Sequence, residues 1–150
     1  MKHLLTLILA AALGLQAQAQ VKNPVKWAFT SRQIDATTYE LIITANIDPG
    51  WHIYTTDHKA DIGVATTLLF KNNPLGTTQG KLKVIGKPVS HRDPSTGEMV
   101  KFYEKTVQFV QQVKLKSPVK TSFSGTVEFM ACDDKQCLAP TEKAFTIALQ

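Results

Sequence analysis

The sequence predicts an all-β chain folded as an antiparallel sandwich, and three observations carry that prediction. Apolar residues recur with period two in one run after another, turn-forming residues stand between the runs, and helix-period stretches of ordinary length are scarce. Val25, Trp27 and Phe29 alternate with Lys26 and Thr30, the pattern of a half-buried strand. Tyr39, Leu41, Ile43, Ala45 and Ile47 repeat it against Glu40, Thr44, Asn46 and Asp48. Asp48-Pro49-Gly50 then reads as a turn, because proline presets φ and glycine accepts a positive φ. A short strand from Trp51 to Tyr54 should follow it.

Apolar residues from Thr66 to Phe70 predict a strand closed by Asn72-Asn73-Pro74 and Gly76, with another short strand from Lys81 to Ile85. From His91 to Met99 the pattern lapses. Asp93-Pro94 and Gly97 stand among polar residues there, so an exposed loop or tight hairpin is expected. Val107, Phe109, Val113 and Leu115 share one phase of a long strand that Ser117-Pro118 ends. The last strands are Phe123 to Ala131 and Ala144 to Leu149, with a cysteine loop between them. About eight short strands at this spacing argue for an immunoglobulin-like antiparallel β-sandwich, with a small barrel as the alternative. Neither an internal repeat nor a low-complexity segment is present.

The first residues bear on compartment. Lys2 and His3 precede an apolar run from Leu4 to Leu15 and the small-residue pattern Ala17-Gln18-Ala19, as in a secretory signal peptide over residues 1–19. That run is shorter than the roughly 20 residues a spanning helix needs, and no later segment is uniformly apolar, so no membrane insertion is expected. No cysteine follows the run where a lipid-anchored precursor would need one. Residues 20–150, about 130 residues, then make one domain able to bury a core without staples. Of the formal charge of +5, Lys2 carries one unit, and the rest is dispersed as single lysines. With no basic run or arginine cluster, nucleic acid is not an expected partner. No nucleophile motif, paired-histidine helix or glycine-rich phosphate loop supports hydrolysis, and no cofactor is implied.

Only two cysteines occur, Cys132 and Cys137, with four residues between them. In an exported chain they should pair with each other. A four-residue connection suits a hairpin, and cysteines flanking it face each other at about 4.5 to 5.5 Å between Cα atoms, within reach of a disulfide. A staple is the plain reading. Against it, the chain-entropy model gives only about 2 kcal/mol for so small a ring. Moreover, Phe123, Val127, Phe129 and Ala131 share the core phase, so Cys132 falls in the opposite phase with Glu128 and Met130. It should point away from the core and stay accessible unless a bulge intervenes. The loop is also polar and charged, as an exposed redox tip would be. The residues alone leave staple and redox pair side by side.

Asp133 and Asp134 should disfavour a thiolate on Cys132, with Lys135 partly offsetting them, so the pair suits attack by a partner thiolate through a mixed disulfide. Asp133, Asp134 or Tyr54 could shuttle protons. Two other classes remain: a binding module with a structural disulfide, and a metal site of both cysteines with His52, His58 or His91. The latter has a cysteine gap at the upper end of zinc-ligand spacing and no second cysteine pair, so no metal is expected.

Gly50-Trp51-His52-Ile53-Tyr54, the Tyr103-Glu104 entry to the long strand, and Val127-Glu128-Phe129-Met130-Ala131-Cys132 leading to Cys137 and Pro140 resemble the N-terminal domain of DsbD-type thiol:disulfide interchange proteins. The resemblance covers nearly all of residues 20–150, and its last part is the specific one. It implies an immunoglobulin-like sandwich in which Cys132 and Cys137 take electrons from a thioredoxin-like protein or domain. They would pass them to oxidised periplasmic proteins such as isomerases or cytochrome-maturation factors. It further implies that one cysteine, with Cys137 favoured, carries the mixed disulfide, and that His52 and Tyr54 pack beside the pair. The stretch from His91 to Met99, including Asp93 and Glu98, would be the cap loop. Three departures stand out. Residues 91–98 hold no aromatic ring, the cysteine spacing is one residue shorter than in the well-known form, and neither a membrane electron-conducting segment nor a thioredoxin-like domain precedes Gln150. A relay acting in trans with a membrane thiol reductase, or a piece of a longer protein, is the expectation.

Overall fold

The structure is a computed structural model and describes residues 22–149 apart from 60 and 95. The signal-peptide segment lies outside the described residues. Eleven strands are present among the described residues: β1 (Val25–Gln33), β2 (Thr38–Ile47), β3 (His52–Tyr54), β4 (Thr67–Phe70), β5 (Gly76–Ile85), β6 (Val89–Arg92), β7 (Met99–Tyr103), β8 (Thr106–Leu115), β9 (Thr121–Phe129), β10 (Ala131–Cys132) and β11 (Thr141–Leu149). They form three antiparallel sheets, ordered β1-β2-β8-β5, β10-β3-β7-β6 and β11-β9-β4.

Alternation decides what each sheet buries. On β2, Tyr39, Leu41, Ile43, Ala45 and Ile47 point inward; on β8, Val107, Phe109, Val113 and Leu115 do the same. Gln111 occupies the same phase of β8 and is buried, and its amide donates to the carbonyl of Gln79 at 2.7 Å, so no donor is stranded there. The first sheet packs on the third, where Phe123, Phe129, Phe145, Ile147 and Leu149 complete the core. Trp27 meets Phe129 with centroids 5.1 Å apart, and Phe29 meets Phe145 at 5.2 Å, across that interface. This is the immunoglobulin-like sandwich that the periodicity predicted.

Several boundaries differ from the sequence reading. The strand expected at Lys81 to Ile85 begins at Gly76, with an irregularity in its pairing to β8 between Gln79 and Lys83. Beyond the buried Gly76, residues 77–81 are an exposed edge with no apolar alternation, so pattern reading had nothing to register. His91 and Arg92 lie in β6, opposite Val100 and Met99 of β7, so the polar stretch is the tip of a hairpin. The strand expected from Phe123 to Ala131 breaks at Met130. Up to Phe129 it pairs with β11, and beyond the break Ala131 and Cys132 pair with β3. The turn at Asp48 to Gly50 is present, with Gly50 at φ +81° and the Trp51 amide donating to the Asp48 carbonyl at 3.1 Å.

Candidate functional site

The small sheet β10-β3-β7-β6 has two apolar faces. Ile53, Ala131 and Tyr103 point into the sandwich core, while their strand neighbours Tyr54, Cys132 and Phe102 point out of it and pack with Val100 in a second buried cluster. Ile62 and Met130 close over this cluster. Register brings the elements together: Cys132 stands opposite His52, and Tyr54 opposite Phe102.

Cys132 and Cys137 form a disulfide, with their Cα atoms 4.0 Å apart. They face each other as an isolated antiparallel bridge in a tight hairpin, closed on one side by the Asp133 amide to the Gln136 carbonyl and on the other by the Leu138 amide to the Ala131 carbonyl, each 2.9 Å. The Asp133 carboxylate organises the turn, since its Oδ1 accepts from the Lys135 and Gln136 amides at 2.8 Å each. The Lys135 amide, followed by lesser bonds from Gln136 and the charge of Lys22, lowers its pKa from the ordinary carboxylate value. Asp134 is exposed at the tip.

The two sulfurs differ sharply in environment. Cys137 is exposed, whereas Cys132 is 1% exposed. The sequence expectation that Cys132 would remain accessible is therefore corrected. The phase placed it off the main core, as expected, but a second cluster covers that face. The Tyr54 hydroxyl lies 3.7 Å from Cys132 Sγ and donates to it. Burial, assisted by the charge of Asp93, raises the Tyr54 pKa, so the phenol stays protonated at neutral pH.

His52 stacks on Phe102 with centroids 4.2 Å apart and meets Tyr54 edge-on at 5.6 Å. Its burial lowers its pKa, while Glu104, Asp134 and Asp133 pull weakly the other way. The unfolded chain then protonates His52 near pH ~6.5, before the folded protein does. The group's contribution to stability is full above that pH and falls as pH drops through the window below it. His52→Gln should flatten this part of the slope, measured as the difference between urea midpoints at pH 7 and pH 5 for the two proteins.

Of the expected cap residues, Glu98 accepts a hydrogen bond from the Asp61 amide at 3.1 Å, tying the hairpin tip to the loop after β3. Asp93 holds the tip through its carbonyl, which accepts from the Gly97 amide at 2.8 Å. His91 is exposed on β6. The rings beside the sulfurs are Tyr54 and Phe102. Sequence reasoning passed over Phe102 and Val100, although their shared phase was visible, and it considered His58 only as a metal ligand. Among the described residues, no three His, Cys, Asp or Glu side chains gather as metal ligands, and no helix is long and apolar enough to cross a membrane.

A β-sandwich whose margin carries a hairpin disulfide, one cysteine exposed and the other buried beside a tyrosine, defines a class of small cysteine-pair domains. The family model for the N-terminal region of the thiol:disulfide interchange protein DsbD matches residues 17–149, and the chain belongs to that family. Among solved structures, the N-terminal periplasmic domain of ScsB from Proteus mirabilis aligns with a TM-score of 0.57 at 16% identity, over 84% of this chain and 48% of that one. This chain thus spans about half the length of that ScsB domain. The reduced N-terminal domain of DsbD from Neisseria meningitidis gives 0.45 at 12% identity, over 81% and 84% of the two chains. The yeast GGA1 GAE domain gives 0.47 at 12% identity, over 88% and 96%. No curated protein matches the sequence.

Proposed function

We propose that residues 20–150 form an exported, periplasmic thiol:disulfide exchange domain, with residues 1–19 as its signal peptide and Cys132 and Cys137 as its redox pair. It relays reducing electrons from a thioredoxin-like protein or a membrane thiol reductase to oxidised periplasmic proteins. The single observation that carries this reading is the asymmetry of the disulfide. Cys137 is the exposed residue of the pair and the side from which an incoming thiolate approaches, while the buried Cys132 sits against a protonated phenol suited to stabilise a departing thiolate.

A partner thiolate attacks Cys137 Sγ, the bond to Cys132 breaks, and Cys132 leaves as a thiolate that accepts from the Tyr54 hydroxyl. The partner's second thiolate then attacks the mixed disulfide and releases Cys137. The partner ends oxidised, and the domain holds both electrons as a dithiol. In the reverse sense, the Cys137 thiolate attacks a substrate disulfide, and Cys132 resolves the intermediate. Asp133, fixed as the turn's acceptor, shapes the hairpin in this scheme, and His52 packs edge-on against the Tyr54 ring that donates to the departing sulfur.

The alternative is a binding module whose disulfide is structural. A redox titration separates the two. Exchange predicts a potential near thioredoxin's roughly −270 mV and reduction by thioredoxin; a potential below about −300 mV without such reduction would leave a staple.

A further inference from the structure

The loop from Thr55 to Thr66 carries none of the groups assigned above to electron exchange, yet it is built around one of them. His58 lies over the Tyr54 ring with centroids 4.3 Å apart and planes inclined by 32°. Gly63 comes so close to the ring that a Cβ there would stand 2.2 Å from Cε2 and 2.4 Å from Cζ. With φ at +83°, that position favours glycine on backbone grounds as well. Thr66 Oγ1 donates to the Tyr54 carbonyl at 2.6 Å, anchoring the loop's far end to the same residue.

The elements that hold the ring are themselves held. His58 Nε2 lies 2.6 Å from the Ile62 carbonyl, which can only accept, so Nε2 carries the hydrogen. The His58 amide donates to the Thr55 carbonyl at 3.3 Å, and Ile62 packs into the cluster of Tyr54 and Cys132. Glu98 ties Asp61 to the β6–β7 hairpin. A tyrosine ring left free would let its hydroxyl turn to water, a competing partner of similar strength. Packing on the ring removes that freedom.

We propose that the 55–66 loop is a positioning clamp, in which His58 and Gly63 hold the Tyr54 hydroxyl on the Cys132 sulfur and so set how readily Cys132 departs. The proposal rests on the thiol-exchange reading for its biological purpose, but the clamp can be measured without a protein partner. His58 is a positioning residue, acting only through Tyr54. Its imidazole supplies a flat surface, so a phenyl ring should serve in its place.

The test compares disulfide reduction by dithiothreitol in the wild type, His58→Ala, His58→Phe, Tyr54→Phe and the double variant His58→Ala/Tyr54→Phe. The pKa of Cys132 is followed by thiolate absorbance in the same set of proteins carrying Cys137→Ala, where it is the one thiol. Tyr54→Phe should slow reduction about tenfold, the loss expected for a hydrogen bond to a developing charge. His58→Ala should slow reduction by a large part of the same factor and raise the Cys132 pKa, while His58→Phe should stay near wild type. In the Tyr54→Phe background, His58→Ala should change neither quantity. Equal effects of His58→Ala in both backgrounds would overturn the clamp, as would an unchanged rate in the single variant. Reduction by dithiothreitol but not by thioredoxin would instead sink the exchange reading, and the comparison among variants would still decide the clamp.

Discussion

Cys132→Ala protein should capture a thioredoxin-like partner through Cys137, whereas Cys137→Ala protein should capture almost none. The partner would carry a single cysteine activated as a mixed disulfide with nitrothiobenzoate, and the product would be read on a non-reducing gel. In the first variant the remaining thiol is exposed at the hairpin; in the second it is 1% exposed beneath Tyr54 and Phe102. Exchange at the buried thiol must wait for local opening. An opening cost of about 3 kcal/mol, within the range of sub-global fluctuations, slows it by on the order of a hundredfold. Equal capture by both variants would remove Cys137 as the point of attack, and capture by neither would remove the relay.

The second large effect concerns stability. Phe109 is fully buried in the sandwich, with Trp27 at 6.2 Å and Tyr103 at 6.3 Å between ring centroids. Phe109→Ala should cost about 3–5 kcal/mol, a large part of the whole stability of an ordinary domain. Reduction of the disulfide should cost much less. A sequence separation of 5 closes a small ring, for which the chain-entropy model gives about 2 kcal/mol. The reduced protein should therefore stay folded while the Phe109 variant becomes marginal, as urea unfolding of the three forms would show. A domain that alternates between disulfide and dithiol needs such independence. Global unfolding on reduction would mean that the pair is a staple.

The sequence made the sandwich legible wherever a strand has one wet face and one dry face. The Tyr39 to Ile47 and Val107 to Leu115 runs are of this kind and match β2 and β8 closely. It was silent where both faces are exposed, as in residues 77–81 of β5 and all of β6, because burial imposes no period there. The site was legible in part. Alternation located Cys132 off the main core, but a period of two tells which face a residue occupies and nothing about what lies over that face. Of the covering groups, Tyr54 was reached through the family resemblance alone, and Val100 and Phe102 were not reached; all three come from segments far away in sequence, joined through two-residue pairings of β3 with β10 and β7. Pairings that short leave no pattern. Gly63, too, owes its identity to a ring that only the folded chain brings near.

The two-faced small sheet has a consequence for which changes in chain length the protein can tolerate. Phe129 and Ala131 enter the sandwich core, and Cys132 leaves it on the opposite side. Chain length between Phe129 and Cys132 therefore counts by parity. One inserted residue would turn the sulfur inward and expel a core side chain, whereas two would restore both faces. The turn between Cys132 and Cys137 obeys no such rule, because it closes outside the sandwich core. Natural variation in length should gather in that turn and be absent just upstream of it.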